Sequence, residues 1–343
     1  MEHEEEHDGN DDARPAFGDA RAVALRFAVP SELDGLRADV ALAWKVRRLS
    51  RTRARAIIER GDLRTLADVA LKPSSRVVAA QDLVLWRIPP DEPVDEGVAA
   101  PRVIVDREDL LVVDKPGDLA VHPSARYLHR TLTAWLRERA RSGEPLAHPC
   151  HRLDRETSGV LVCARGRDAE RCVKSAFMRG EVRKVYVAVA RGTIETPVVV
   201  DAPLALQGTR GLVRIRMLVD ALGQPSVTEF FPLFVDEARA RTVVACVPRT
   251  GRQHQIRAHL AHIGHAIVGD KLYAMGDAWF DAYTRGDADV SALEHARHAL
   301  HAARLVLDDG ERFSALVPED LRALIDAGDD VWTRVESALD GLC

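Results

Sequence analysis

The chain has 343 residues, of which 46% are hydrophobic and 29% charged, a composition typical of a globular protein that can bury a sizeable core. No apolar run approaches the roughly 20 residues that span a membrane, and the acidic N-terminus has no apolar segment like that of a secretory signal. Five cysteines, without a Cys-x-x-Cys pair, indicate reduced thiols, a cytoplasmic location and no zinc site.

Charge is distributed unevenly along the chain, whose net charge is −5. Residues 1–20 hold eight acidic side chains and one arginine, and we predict that they form an acidic disordered tail. Residues 36–60 hold eight basic side chains against two acidic ones. A local basic patch beside an acidic tail favours binding to nucleic acid, despite the negative total.

Residues 21–90 are predicted to form a small module. Its first helix is predicted over Leu33–Val46, with an inward face of Leu36, Val40 and Ala43. A second helix over Arg51–Arg60 begins after the N-cap residue Ser50 and ends at Gly61. A closing strand is predicted over residues 81–86.

The second helix carries Arg51, Arg53 and Arg55 close to its N-terminus. The helix dipole disfavours cations at this end, and contact with a phosphate would offset that cost. A merely solvated basic face is the alternative. Because the charge clusters on one element, we predict that these side chains contact RNA.

A proline-rich and acidic stretch, residues 91–101, is predicted to be a linker. We expect a catalytic domain over residues 102–330 and a C-terminal tail over residues 331–343. The domain opens with two apolar strands, followed by an amphipathic helix over Thr131–Arg141. Further on, Asp168 is predicted to cap a helix that ends at Gly180, and Pro318 to open a final helix.

The most informative stretch runs from His151 to Ala164, where a dense polar segment leads into a buried apolar strand. Polar side chains on a loop held by a rigid strand are a common site for chemistry. Asp154 is the acid at the centre of this segment, and Arg152 precedes it. The structural alternative is a turn, because Asp, Thr and Ser often bond local backbone amides.

Two later segments supply further candidates. A strand over residues 182–190 places Lys184, Tyr186 and Ala188 on one face, and Tyr186 is either a core aromatic or a ligand-binding ring. A hairpin is predicted from residues 227–235 and 241–247, and a helix that begins near Gln253 presents Arg257. A metal site is the alternative for four nearby histidines, but they lack the His-Glu-x-x-His arrangement and have no carboxylate between them: His254, His259, His262 and His265.

Three segments resemble motifs of the RluA-type pseudouridine synthases. They are His-Arg-Leu-Asp-x-x-Thr-Ser-Gly at residues 151–159, Lys-x-Tyr-x-Ala at residues 184–188, and Arg-Thr-Gly-Arg-x-His-Gln-Ile-Arg-x-His at residues 249–259. The resemblance implies that Asp154 is the nucleophile, Arg257 its charge partner and Tyr186 the ring that stacks on the target base. Arg152 would fill the space left by that base or bind a phosphate. It leaves open whether Asp154 attacks the sugar, attacks the base or removes a sugar proton.

The N-terminal module resembles a small RNA-binding domain of ribosomal proteins and tyrosyl-tRNA synthetases. The shared residues are Gly35-Leu36-Arg37-Ala38-Asp39 and the run from Ser50 to Gly61, whereas the usual Val-x-Val-Asn-Gly hairpin is absent. This resemblance assigns RNA binding to Arg37, Arg51 and Arg53.

Together the resemblances imply an α+β pseudouridine synthase fold with a mixed, mainly antiparallel central sheet, plus a small N-terminal α/β RNA-binding domain. We therefore expect an enzyme that needs no cofactor and no metal and that acts as a cytoplasmic monomer on structured RNA, with ribosomal RNA favoured over transfer RNA. Two alternatives stay open: a non-catalytic RNA-binding protein of the same fold, and a metal-dependent hydrolase that uses the histidines.

Overall fold

The computed structural model describes residues 16–19, 22–46, 49–88, 99–123, 129–208, 213 and 215–343. Two compact units divide the chain near residue 93. Most of the predicted acidic tail and linker lies outside the described residues, as do Arg47 and Arg48 of the basic patch. In the part of the chain that is described, no helix is long and apolar enough to cross a membrane.

The first unit packs two helices on a small antiparallel sheet with the strand order β1-β3-β2. Its elements are β1 (Val23–Ala28), α1 (Ala38–Lys45), α2 (Arg51–Glu59), β2 (Leu63–Thr65) and β3 (Asp82–Arg87). Apolar side chains from every layer share one core, among them Leu42 of α1, Ile58 of α2 and Leu85 of β3. Burial of this core holds the small unit together.

The first helix differs from the prediction in its start and in its buried face. It begins at Ala38 because Gly35, with a φ of +69°, turns the chain just before it. The predicted face began at Leu36, which precedes the helix and is 37% exposed. The buried side chains of α1 are Ala38, Asp39, Ala41 and Leu42.

Helix ends were predicted with mixed success. The Ser50 side chain accepts a hydrogen bond from the Arg53 backbone N–H at 3.2 Å, so it caps α2 as expected. The cap predicted at Asp168 is wrong, because the fourth helix begins at Arg167 after Gly166 and Asp168 lies within its first turn. Gly180 ends that helix with a φ of +75°, as predicted.

The second unit is built around a ten-stranded sheet with the order β4-β5-β7-β14-β8-β13-β12-β9, in which β6 also pairs with β7 and β15 with β14. Its strands are β4 (Arg102–Asp106), β5 (Leu110–Lys115), β6 (Ala147–Pro149), β7 (Ser158–Arg165), β8 (Arg183–Arg191), β9 (Val198–Asp201), β12 (Val227–Asp236), β13 (Arg241–Pro248), β14 (Leu300–Val306) and β15 (Arg312–Ser314). A separate antiparallel pair consists of β10 (Leu204–Leu206) and β11 (Met217–Val219). The helices are α3 (Leu132–Arg141), α4 (Arg167–Arg179), α5 (Gln255–His262), α6 (Asp277–Arg285), α7 (Glu319–Arg322) and α8 (Asp329–Gly341).

The predicted fold class is confirmed. Among the described strands, β7 and β14 run parallel and the other pairs of the large sheet run antiparallel. The predicted hairpin is present as β12 and β13, with Asp236 paired to Arg241 at its turn. The middle strands are buried on both faces, so side chains at their ends are held on a rigid base.

The C-terminus is not the predicted tail. Residues 331–343 lie mostly in α8, which buries an apolar stripe in the core shared with β8 and β13. The stripe consists of Val331, Trp332, Val335 and Leu339. Pro318 does precede a helix, but α7 is a single turn, and α8 is the last helix.

Candidate active site

A cleft of about 1260 Å³ opens in the second unit and brings together four side chains that the sequence singled out. Asp154 and Arg152 come from the loop between β6 and β7, Tyr186 from β8 and Arg257 from α5. The three remaining predicted residues, Arg37, Arg51 and Arg53, belong to the first unit.

A close approach of two strands places the Asp154 loop at the middle of the sheet. Gly159, at the start of β7, has a φ of +112°, and a Cβ added there would lie 2.2 Å from the Ala302 carbonyl oxygen of β14. Only glycine permits this backbone conformation and this contact. Strand packing therefore requires glycine at the last position of the motif at residues 151–159.

Buried ionisable side chains hold the loop that carries Asp154. The fully buried Lys115 ammonium donates to the Arg155 carbonyl oxygen at 3.0 Å, and burial, followed by the charge of Arg297, lowers the pKa of Lys115 to about 7. Glu156 accepts from Lys271 Nζ at 2.8 Å and from the His298 backbone N–H at 3.0 Å. Burial alone would raise the pKa of Glu156, but His298 and Lys271 outweigh it and hold this pKa below its usual value. The loop is thus pinned at the two residues that follow Asp154.

Asp154 has one oxygen held and one open. Its Oδ2 accepts a hydrogen bond from Arg257 Nη1 at 2.8 Å, whereas Oδ1 forms no hydrogen bond with any described residue. The side chain is 20% exposed, and the opening is the cleft. Burial by itself would raise the pKa of Asp154, but the positive charge of Arg257 outweighs it, so that this pKa lies well below the usual value. Asp154 is ionised at neutral pH.

Arg257 is itself held by a second carboxylate, which the sequence interpretation missed. Its Nε and Nη2 donate to the two oxygens of Asp270 at 2.7 and 2.9 Å. Asp270 is fully buried and also accepts from the backbone N–H groups of Leu272 and Tyr273, both at 3.0 Å. Asp270 follows Arg257 by 13 residues, and no pattern in the sequence pairs the two.

His254 is a second neighbour of Asp154, with its Nε2 3.8 Å from Asp154 Oδ2. Burial and the nearby charge of Arg257 lower the pKa of His254 to about 4, so the imidazole is neutral at neutral pH. Its Nδ1 lies 3.2 Å from the Tyr273 hydroxyl. His254 also has a φ of +54°, an uncommon conformation that turns the chain into α5.

Tyr186 lines the same cleft as the ion pair of Asp154 and Arg257. Its strand, β8, is flanked by β13 and β14, where Cys246 and Ala302 are its cross-strand partners. The hydroxyl forms no hydrogen bond with the described residues. Burial raises the pKa of Tyr186, and the negative charge of Asp154 adds to the effect. A half-buried neutral ring at a cleft surface is suited to stacking on a planar ligand.

The wall of the cleft is strongly cationic. Among the described residues that line it, Asp154 is the one carboxylate. The cations that line it are Arg152, Lys174, Arg179, Lys184, Arg249, Arg252 and Arg257. Such a surface attracts a polyanion, and Arg152 presents an exposed guanidinium to it.

The histidines of α5 and its neighbourhood do not converge on a metal site. The His259 ring bonds to the Thr228 hydroxyl and the Ala202 carbonyl oxygen, each at 2.9 Å. His265 Nδ1 lies 2.9 Å from the Arg191 carbonyl oxygen. Across the described ranges, no group of three His, Cys, Asp or Glu side chains is placed to hold a metal ion.

Two of the predicted RNA-binding arginines have a structural partner in the first unit. Arg37 and Arg51 both pair with the buried Asp39, at 3.0 and 3.2 Å. Hydrogen bonding from Arg37 outweighs burial and lowers the pKa of Asp39 to about 2. Arg53 is exposed and has no ion-pair partner among the described residues.

Comparison with known proteins agrees with this architecture. A family model described as RNA pseudouridylate synthase matches residues 109–262. A Nitrosomonas europaea protein named ribosomal large subunit pseudouridine synthase D is 32% identical over 331 residues, 92% of this chain and 91% of that protein. A Helicobacter pylori protein named uncharacterized RNA pseudouridine synthase is 33% identical over 177 residues, 51% of this chain and 59% of that protein.

A solved structure is also similar. Human RNA pseudouridylate synthase domain containing 1 aligns with a TM-score of 0.53 and 26% identity, over 71% of this chain and 96% of that one. Fold, cleft and matches define the class, an isomerase that acts on RNA. The chain belongs to the RNA pseudouridylate synthase family.

Proposed function

We propose that this protein converts uridine to pseudouridine in large-subunit ribosomal RNA, with Asp154 as the nucleophile acting on a flipped-out base. One observation carries the proposal: Arg257 holds one oxygen of the ionised Asp154, and the other oxygen faces a cationic cleft. The name of the Nitrosomonas europaea relative supports ribosomal RNA as the substrate.

The reaction itself explains why an ionised carboxylate is enough. Pseudouridine formation breaks the bond between the ribose and a uracil nitrogen, turns the base and rejoins it through carbon-5, from which a proton leaves. No electron is gained or lost, so no redox cofactor takes part. An ionised acid shielded from bulk water is an effective nucleophile. Arg257 and Asp270 fix its position before the substrate arrives.

The target uridine must leave its stack to reach Asp154, at a cost of a few kcal/mol. We assign Tyr186 to hold the extruded base, since stacking on an aromatic side chain is worth about 1–3 kcal/mol. Arg152, exposed at the edge of the cleft, fills the vacated space or binds a phosphate beside the flipped nucleotide. These two side chains offset the cost of extrusion.

The first unit supplies further contacts with RNA through Arg37, Arg51 and Arg53. Arg53, which is exposed and lies in the first turn of α2, is free to meet a phosphate. An additional RNA-binding module favours a large structured substrate, ribosomal RNA over transfer RNA. We expect the protein to act as a cytoplasmic monomer.

Pseudouridine mapping of total RNA tests the proposal. We compare cells with the wild-type gene, without it, and with Asp154→Asn, an amide of the same shape that has no negative charge. One or more uridines of large-subunit ribosomal RNA should lose the modification in both defective strains. The amide should lower the rate at least about 1,000-fold, because the nucleophile is removed.

This experiment tests the assigned nucleophile and the assigned RNA substrate independently. A site lost on deletion but kept with Asp154→Asn would refute Asp154 as the nucleophile. A site lost from transfer RNA instead would correct the substrate. The amount of Asp154→Asn protein, measured by immunoblot, shows whether the variant is present at the wild-type level.

A further inference from the structure

Lys184 is a cation of the cleft that has no part in the chemistry above. It lies on β8, two residues before Tyr186, and lines the cleft half-buried. Its ammonium forms no hydrogen bond and no ion pair with any described residue. Burial lowers the pKa of Lys184, and among the described residues no carboxylate pairs with it to oppose the effect. A partly buried charge without a partner lowers the stability of the protein. The position of Lys184 is therefore unfavourable unless a ligand pairs with its ammonium.

Three other cations of the same cleft form ion pairs with acidic side chains of the chain. Arg249 Nη2 pairs with Glu229 at 2.5 Å, and Arg179 pairs with Glu181 at 2.6 Å. Lys174 pairs with Glu170 one helical turn away. These cations have anionic partners within the chain, whereas the described surroundings of Lys184 offer none.

The ammonium lies beside the loop that precedes α5. A Cβ added to Gly251 would lie 3.9 Å from Lys184 Nζ, so this loop passes close to the charge, and Gly251 is exposed. The charge of Lys184 also adds to burial in lowering the pKa of His151. Gly251, His151 and Lys184 all line the cleft, so the ammonium is within reach of a ligand there.

We propose that Lys184 binds a backbone phosphate of the RNA strand at the flipped nucleotide. This inference rests on the proposed function of the cleft. Residues two apart on a strand lie about 6.6 Å apart and face the same way. A base stacked on Tyr186 would thus have its sugar-phosphate backbone within reach of Lys184. A compact ammonium with three donors suits a phosphate, which presents several acceptor oxygens.

Single-turnover conversion of an in vitro transcript that carries the mapped uridine tests the inference. Lys184→Met keeps the length of the side chain and removes its charge. The enzyme concentration at half-maximal rate should rise about tenfold, as for loss of one charge-assisted hydrogen bond, with the rate at saturating enzyme unchanged. The slope of log affinity against log salt should become shallower by about 0.7.

Thermal melting separates a binding role from a structural one. Without RNA, Lys184→Met should melt at a higher temperature than the wild type, because an unpaired buried charge has been removed. Lys184→Arg should recover most of the affinity. Arg334→Gln is the charge-matched control, since Arg334 is 72% exposed on α8 and does not line the cleft, and its salt slope should equal that of the wild type.

Three results would overturn the inference. Unchanged affinity and salt slope for Lys184→Met would mean that no phosphate meets this ammonium. A lower melting temperature together with a lower saturating rate would make Lys184 a structural residue. Failure of the wild type to convert the transcript would refute the proposed function and this inference with it, whereas an active wild type with an unaffected Lys184→Met refutes the inference alone.

Discussion

A chain of charges connects Asp154, the proposed nucleophile, to a fully buried acid. Arg257 holds Asp154, and Asp270 holds Arg257. Asp270 in turn accepts hydrogen bonds from two backbone N–H groups. Because Asp270 has no exposure to the cleft, it acts on the reaction only through Arg257. We therefore assign Asp270 as a positioning residue, whose function is to keep the guanidinium from turning away.

Asp270→Asn tests this assignment. The amide retains one acceptor, so Arg257 loses its fixed orientation, and we expect the saturating rate to fall about 100-fold with little change in RNA affinity. The pH dependence should change as well. A guanidinium that turns away from Asp154 lowers its pKa less, so burial raises this pKa relative to the wild type. More of Asp154 is then protonated as the pH falls, and the acidic limb of the rate profile should move upward.

The control for Asp270→Asn is Asp330→Asn, an exposed acid of α8 whose loss should leave the rate unchanged. An unchanged saturating rate and an acidic limb in the wild-type position would contradict the assignment, since they would show that Arg257 keeps its orientation without Asp270. Circular dichroism of both variants checks that they are folded.

At the scale of elements, the close contact between β7 and β14 sets the position of the Asp154 loop. Gly159→Ala should lower the free energy of unfolding by about 3 kcal/mol, because it combines an unfavourable positive φ with overlap against the Ala302 carbonyl. Gly143 is a matched control, since its φ is +100° but a Cβ added there meets nothing within 4 Å. Gly143→Ala should cost about 1–2 kcal/mol. Equal losses in denaturant unfolding would show that the strand contact is not what requires Gly159.

Local patterns predicted most elements of the fold, and the errors have physical causes. The cap at Ser50 and the hairpin of β12 and β13 depend on neighbours in sequence, so spacing was sufficient to predict them. The face of α1 was assigned wrongly because Gly35 ends a turn that shifts the start of the helix by several residues. The apolar stripe of α8, from Val331 to Leu339, has helical spacing in the sequence, so the predicted tail overlooks a local signal.

In the site as well, residues within local motifs were predicted from the sequence, whereas contacts between distant segments were not. Asp154, Tyr186 and Arg257 stand in motifs whose spacing is local, and the structure brings them to one cleft. Asp270 is separated from Asp154 along the chain, and its contact with Arg257 arises from the turn that follows α5. No periodicity encodes such a contact. The missing partner of Lys184 likewise becomes visible only when its surroundings are known.

At the scale of the whole molecule, the distribution of charge decides its partners more than the net charge of −5 does. The cleft concentrates cations around a single acid, while acidic residues dominate the N-terminal 20 residues. In the first unit, much of the predicted basic patch is neutralised locally, as when Arg55 pairs with Glu59 at 2.8 Å. Arg53 is the exposed cation of α2 without such a partner among the described residues.

Arg53 and Arg51 therefore make a matched pair for testing RNA binding by the first unit. Arg53→Gln removes a cation from the first turn of α2, where the helix dipole disfavours it, so the stability of the unit should not fall. The affinity for the ribosomal transcript should fall, and the salt slope should become shallower by about 0.7–0.9. Arg51→Gln should weaken RNA binding and also destabilise the unit, because the buried Asp39 loses a partner. Unchanged affinity in Arg53→Gln would show that this helix end does not meet RNA and would confine recognition to other surfaces.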